Sequence, residues 1–351
     1  MTVSPFDHPY LVGLLGDEET AAQFSAAAEI EAMLRFEVAL ARAECDEGVV
    51  PVAAAERIAW AVLHFAPDMA ALRQAVGRDG VVVPELVRQL REAVGPEHGQ
   101  YVHFAATSQD VIDTGLMLRL KTVAAGFDRR IEALEEGLNE LSRTFGANPL
   151  TGRTRMQAAI GITVSDRISS WATPLKRNRA RLQSFIGDGL AVQFGGAAGT
   201  LDKLGEKGPA VRARLAAELS LADRPQWHSQ RDGIAEFAGL LSLITGNLGK
   251  LGQDVALMAQ EGTEIALVGG GTSSAMAHKQ NPVAAETLVT LARFNAVQLS
   301  AMHHALVHEQ ERSGSAWTLE WMVLPQMTVA TGAALRLAGQ LLASIRSLGT
   351  S

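Results

Sequence analysis

Two stretches of this chain carry an apolar repeat too long for anything but long helices packed side by side. Leu116, Leu120, Val123, Phe127, Ile131, Leu134, Leu138, Leu141 and Phe145 step by four or three residues over most of their run. Ile234, Phe237, Leu241, Ile244, Leu248, Leu251, Val255 and Met258 alternate steps of three and four. That spacing turns one stripe of a helix toward neighbours that lie nearly parallel to it. Weaker versions run over about residues 165–186, 282–308 and 324–348, so about five long helices are expected. The first stops at Asn148-Pro149 and would run roughly 50 Å at 1.5 Å per residue. Turn dipeptides between alternating apolar runs are missing, so the predicted fold is all-α. A helix of that length needs its apolar stripe covered from end to end. Five helices from one chain do not achieve this, and a homo-oligomer with a shared bundle is expected.

Residues 1–103 read differently. After an irregular lead-in with Pro5, Pro9, Gly13 and Gly16, Ser25 is placed to cap a helix carrying Ile30, Met33, Leu34, Val38 and Ala41. Shorter helical runs follow, one opening at Pro84, and Gly95-Pro96 closes the region. The expected organisation is a smaller helical domain over residues 1–103 and the long-helix bundle over residues 104–351. The net charge of −7 argues against a nucleic-acid binder, which would show a basic face. No apolar run is long enough for a transmembrane helix, and no basic, apolar leader opens the chain. One cysteine, Cys45, leaves no internal disulfide. A cytoplasmic protein with no membrane partner is expected.

Polar clusters stand at the helix boundaries. His103, Thr107, Ser108 and Gln109 precede Asp110, at the start of the first long helix. Thr107 or Ser108 alone reads as a plain N-cap. Two hydroxyls, an amide and a histidine together also suit an anion held at a helix N-terminus. Arg153, Arg155 and Gln157 follow Gly152, and two arginines there can bind carboxylates bidentately, although isolated surface arginines are more often just solvated. His228, Gln230, Arg231 and Asp232 lead into the second seam. His304 and His308 stand four apart, as two ligands on one helical face would. The glutamate of an HExxH pattern is missing, and no metal site is expected. No phosphate-binding or dinucleotide-binding glycine motif is present, and no cofactor is expected.

The most specific string is Gly269–Glu286, GGGTSSAMAHKQNPVAAE. Glycines, serines, a histidine and a lysine run into Asn281-Pro282, which reads as a helix start with Asn281 as its cap. Ser273-Ser274-Ala275-Met276-Ala277-His278-Lys279-Gln280-Asn281-Pro282 resembles the signature of the fumarase/aspartase superfamily. Thr107-Ser108-Gln109-Asp110 and Gly152-Arg153-Thr154 resemble its other two signature regions, in the same order and at similar spacing. The resemblance implies a helical N-terminal domain, a five-helix bundle and homotetramers whose active sites are each built from three subunits. The family's C-terminal helical domain is expected to be largely missing here. Ala277 stands where relatives often have proline.

The chemistry that the resemblance implies is proton transfer next to a substrate carboxylate. By position Ser273 matches the family's base, with Lys279 and Asn281 on one carboxylate and Thr107 and Ser108 on another. His103 or Ser274 is the fallback for the proton transfer. Two readings compete within the superfamily. Adenylosuccinate lyases carry a histidine as general acid where this chain has Arg155. The stretch from His308 to Trp321, Phe194–Leu201 and Trp227–Asp232 more closely resemble the 3-carboxy-cis,cis-muconate cycloisomerases. Those enzymes close a carboxylate onto a diene in the protocatechuate branch of aromatic degradation. In the reverse of that reaction the leaving group is a carboxylate, whose pKa near 4 lets it depart without a proton. Loss of the acid histidine is therefore tolerable for lactonisation and damaging for an amine-releasing lyase. The expected partner is a small tricarboxylate. Arg153, Arg155, Arg231, His278, Lys279 and Arg312 can supply the positive charge it needs, with Gln157 and Gln230 standing among them. A structural protein without activity is a third reading, and Ser273, Lys279 and Asn281 weigh against it.

Overall fold

A computed structural model of the chain describes residues 4–272 and 280–350. Two short helices, α1 (Val12–Leu15) and α2 (Glu18–Ala22), lead into α3 (Ala26–Asp46), α4 (Val52–Leu63), α5 (Met69–Asp79) and α6 (Val83–Val94). The long helices are α7 (Ser108–Phe145), α8 (Val164–Ser184), α10 (Asp232–Glu261), α11 (Val283–His304) and α12 (Ser315–Ser344), with α9 (Gly208–Leu219) between α8 and α10. The five long helices expected from the repeats are all present. Leu120, Phe127, Ile131 and Leu138 of the first seam are buried, and so are Phe237, Leu241, Ile244 and Leu248 of the second. Each such side chain contributes about 1.5–3 kcal/mol by leaving water. α7 packs along α3, α8 and α12, while α10 packs along α11 and α12. Among the described residues no helix is long and apolar enough to cross a membrane.

The local signals behave as expected at several helix starts. Ser25 accepts the Ala28 amide and caps α3. Pro84 sits in the first turn of α6. Thr163 and Asp166 form a reciprocal capping box that opens α8.

Other boundaries fall elsewhere than expected. α12 begins at Ser315 rather than near Leu324, so Pro325 lies inside the helix. α11 ends at His304, which puts His308 in the following turn and not on a shared helical face. Asn281 does not cap α11. It lies in a short strand, and the cap position belongs to Pro282.

Short strands also interrupt the helical pattern. β1 (Pro149–Thr154) and β2 (Gln157–Thr163) form a hairpin directly after α7. Its two turn residues, Arg155 and Met156, have φ of 49° and 66°. Two consecutive left-handed residues define the tight turn whose twist suits a hairpin. β3 (Ile265–Leu267) pairs with β6 (Ile345–Leu348), and β4 (Gly271–Thr272) pairs with β5 (Gln280–Asn281). These pieces gather at one end of the bundle. Asn148 donates to the Leu348 carbonyl at 2.7 Å, and the Thr151 amide donates to Glu264 at 2.8 Å.

Candidate active site

The N-terminus of α7 is organised by Asp110. Its carboxylate accepts the amides of Thr107 at 3.0 Å, Gly195 at 2.9 Å and Gly196 at 3.0 Å. It also meets His228 Nε2 at 2.7 Å. One fully buried carboxylate thus ties the helix start to the loop after α8 and to the segment before α10. Glycine is required where that loop comes close. A Cβ on Gly195 would meet His228 Cε1 at 2.9 Å, and Gly196 has φ of 70° with the Ala105 carbonyl 2.9 Å from its missing Cβ. Arg312 lies over the same loop, donating to the Gln109 side-chain oxygen and to the Ala197 carbonyl, both at 3.1 Å. Thr107 and Ser108 are half-buried beside these groups.

One turn further along α7, Asp113 anchors a buried ion cluster. Arg231 donates to both Asp113 oxygens, at 2.6 and 3.1 Å, and to both Glu320 oxygens, at 2.9 and 2.5 Å. Trp317 Nε1 donates to Asp113 at 3.0 Å. Burial works against the Arg231 charge, but the two carboxylates more than offset it and raise its pKa. Burial likewise opposes ionisation of Glu320, and Arg231 nonetheless holds its carboxyl below the usual range. The guanidinium expected to meet substrate is therefore fully engaged within the protein. It holds Asp113, and with it the helix start, in place. Gln230 is exposed and donates to the Gln226 carbonyl at 3.2 Å.

The remaining described candidates lie at the opposite end. Arg153 pairs with Glu261, with Glu264 3.9 Å away. Arg155 sits in the hairpin turn, exposed, with no ion-pair partner among the described residues. Gln157 is exposed on β2, and Asn281 is in β5. Ser273, Ser274, His278 and Lys279 lie outside the described residues. β4 and β5, on either side of them in the chain, pair with each other.

Two helices measure the separation. α7 has 38 residues and α10 has 30. At 1.5 Å per residue they span about 57 and 45 Å. One chain therefore holds His103, Thr107, Ser108, Gln230, Arg231 and Arg312 at one end. It holds Arg153, Arg155, Gln157 and Asn281 at the other.

Nothing local in the sequence marks Asp110 and Asp113 as hubs or pairs His228 with Asp110. Their long-range partners Gly195, Gly196, His228, Arg231 and Trp317 lie 85 to 204 positions away in the chain, so no local spacing announces them. Glu37 and Glu44 were missed, although a signal was present. Both fall on the apolar stripe of α3, where a charge is out of place.

Residues 17–297 match the Lyase family, and the chain belongs to it. Among characterised relatives, it is 40% identical to the 3-carboxy-cis,cis-muconate cycloisomerase of Bradyrhizobium diazoefficiens over 93% of this chain and 74% of that protein. It is also 40% identical to the enzyme of the same name from Pseudomonas aeruginosa, over 90% of this chain and 70% of that one. The crystal structure of the 3-carboxy-cis,cis-muconate lactonizing enzyme from Pseudomonas putida superposes with a TM-score of 0.89 at 35% identity, covering 96% of this chain and 77% of that one.

Proposed function

We propose that this chain is a cycloisomerase that converts 3-carboxy-cis,cis-muconate to a carboxymuconolactone, at a site shared between subunits. A carboxylate oxygen of the substrate bonds to a diene carbon. The carbon next to another carboxylate then takes up a proton, and Ser273 is the residue assigned to transfer it. Thr107, Ser108 and the free amides of the α7 N-terminus suit a second carboxylate, because hydroxyls and helix-end N–H groups favour an anion. Lys279 and Asn281 take another. His278 and Arg312 add positive charge, with Gln157 and Gln230 as polar ligands.

The observation that carries the reading is the placement of Arg155. A tight turn holds it exposed at the far end of the bundle, as a fixed cation with no proton to give. That suits a reaction whose leaving group, in reverse, is a carboxylate. The separation of the two half-sites supports an oligomer, since a second copy must bring its hairpin end to the α7 N-terminus. Exposed Leu243, Val297 and Met322 on α10, α11 and α12 offer apolar surface for such packing. A homotetramer with shared sites fits, working in the cytoplasm in the protocatechuate branch of aromatic degradation.

The test is turnover of 3-carboxy-cis,cis-muconate by the purified protein, followed by loss of conjugated-diene absorbance and by proton uptake. Closing a trianion to a lactone dianion consumes a proton at each turnover. Loss of both signals in Ser273→Ala, with the oligomer intact, is the expected result. No diene loss, with fumarate released from adenylosuccinate, would overturn the proposal.

A further inference from the structure

Three histidines lie near the α7 N-terminus, and their ring nitrogens are used differently. His228 is held through Nε2 on Asp110, and its Nδ1 is buried without a partner. His308 is buried with neither nitrogen hydrogen-bonded, its Nε2 3.7 Å from Glu320. His103 differs from both. Its Nδ1 meets Glu37 Oε1 at 2.7 Å, while its side chain keeps 13% exposure. Its Nε2 has no hydrogen bond to a described residue and is not among the sealed, unpartnered atoms, so it faces open space.

The arrangement is held against backbone preference. His103 has φ of 60° and Ala105 has φ of 53°. Left-handed backbone is disfavoured for a non-glycine residue and persists where surrounding contacts enforce it. Glu37 is nearly fully buried on α3, and its other oxygen has no partner. Glu44 lies two turns along the same helix face. Burial first, and the charge of Glu37 second, raise its pKa to about 9, so it keeps its proton at neutral pH.

We infer that Glu37 is a positioning residue for His103. Its carboxylate takes the hydrogen bond from Nδ1–H, so that Nε2 is the ring atom presented to substrate beside Thr107 and Ser108. This rests on the reading of the α7 N-terminus as half of the substrate site. It adds a residue from α3 to that site.

The test reads the tautomer directly. Protein labelled with [15N]histidine is studied by NMR above the ordinary histidine pKa, with His103 assigned by its loss in His103→Gln. The expected result is a protonated Nδ1 and a bare Nε2 in the wild type, reverting to the Nε2–H form favoured by free histidine in Glu37→Leu. A wild-type His103 with its proton on Nε2 would overturn the inference without needing any variant at position 37. Kinetics on 3-carboxy-cis,cis-muconate supply a second readout. Loss of a partner that orients a functional histidine typically costs 10–100-fold, so Glu37→Leu should lower kcat by about that factor with little change in KM. The double variant with His103→Gln should be no slower than His103→Gln alone, and multiplicative losses would contradict the inference. Wild-type turnover reports separately on the reaction itself, so failure of that reading is distinguishable from failure of this one.

Discussion

Glu44→Gln should flatten the pH dependence of stability. Glu44 has no exposed surface, and both its oxygens are buried without a partner. Burial and the neighbouring Glu37 charge raise its carboxyl from 4.5 to about 9. Because the folded value is the higher one, the folded protein keeps a proton that the unfolded chain releases. The favourable state is complete below about pH 4.5, and stability is lost as pH rises toward 9. At 1.36 kcal/mol per pH unit, the three units from pH 5 to 8 correspond to about 4 kcal/mol as an upper bound. Glutamine has the shape of the protonated acid and no proton to lose. At pH 5 the variant should match the wild type to within about 1 kcal/mol, since it exchanges one buried neutral group for another. At pH 8 it should be more stable by up to about 4 kcal/mol. Urea denaturation at fixed protein concentration, repeated from pH 5 to 8, reads this as a widening gap between the two midpoints. Parallel midpoint curves for the two proteins would refute the reasoning and mean that Glu44 ionises in place.

Two further predictions concern the two half-sites. Asp113→Asn removes a carboxylate from the buried Arg231 cluster and leaves Glu320 alone against the guanidinium. Breaking such a pair typically costs about 3–5 kcal/mol, read as a lower urea midpoint, with weakened carboxylate binding at the α7 N-terminus. Arg155→Met removes the cation at the hairpin turn without touching the core. Stability should change by less than about 0.5 kcal/mol, as for an exposed site. The kcat/KM for the tricarboxylate should fall roughly 10–100-fold, as loss of a charged hydrogen bond of 1.5–3 kcal/mol implies.

The bundle was legible in the sequence because a helical stripe repeats locally. Leu116 to Phe145 and Ile234 to Met258 each fall on one long helix with their seams buried. The start of α12 was less legible. Leu324-Pro325 resembles a helix opening, because proline suits a first turn, yet Trp317 and Glu320 begin the helix earlier by docking on Asp113 and Arg231. The β1–β2 hairpin gave no turn signal, since Arg155-Met156 lacks the asparagine or glycine that usually adopts left-handed backbone. Thr151, Thr154, Ile160, Ile162 and Thr163 were its only β-branched hint. The signature regions were legible as motifs, but their division between two ends 45–57 Å apart follows only from helix length. The roles of Asp110, Asp113 and Glu37 depend on long-range contacts that a linear reading does not hold.

A mixing experiment bears most directly on lactonisation at a shared site. Ser273→Ala removes the residue assigned to proton transfer and Thr107→Val a hydroxyl of the α7 N-terminus, and each homo-oligomer should be inactive on 3-carboxy-cis,cis-muconate. Unfolded together in equal amounts and refolded, they should recover diene loss to about a quarter of the wild-type rate. If each site draws one residue from each of two subunits, about one site in four pairs two intact halves. No recovery above the separate variants, from properly assembled mixed oligomers, would contradict the account and return the whole site to a single chain.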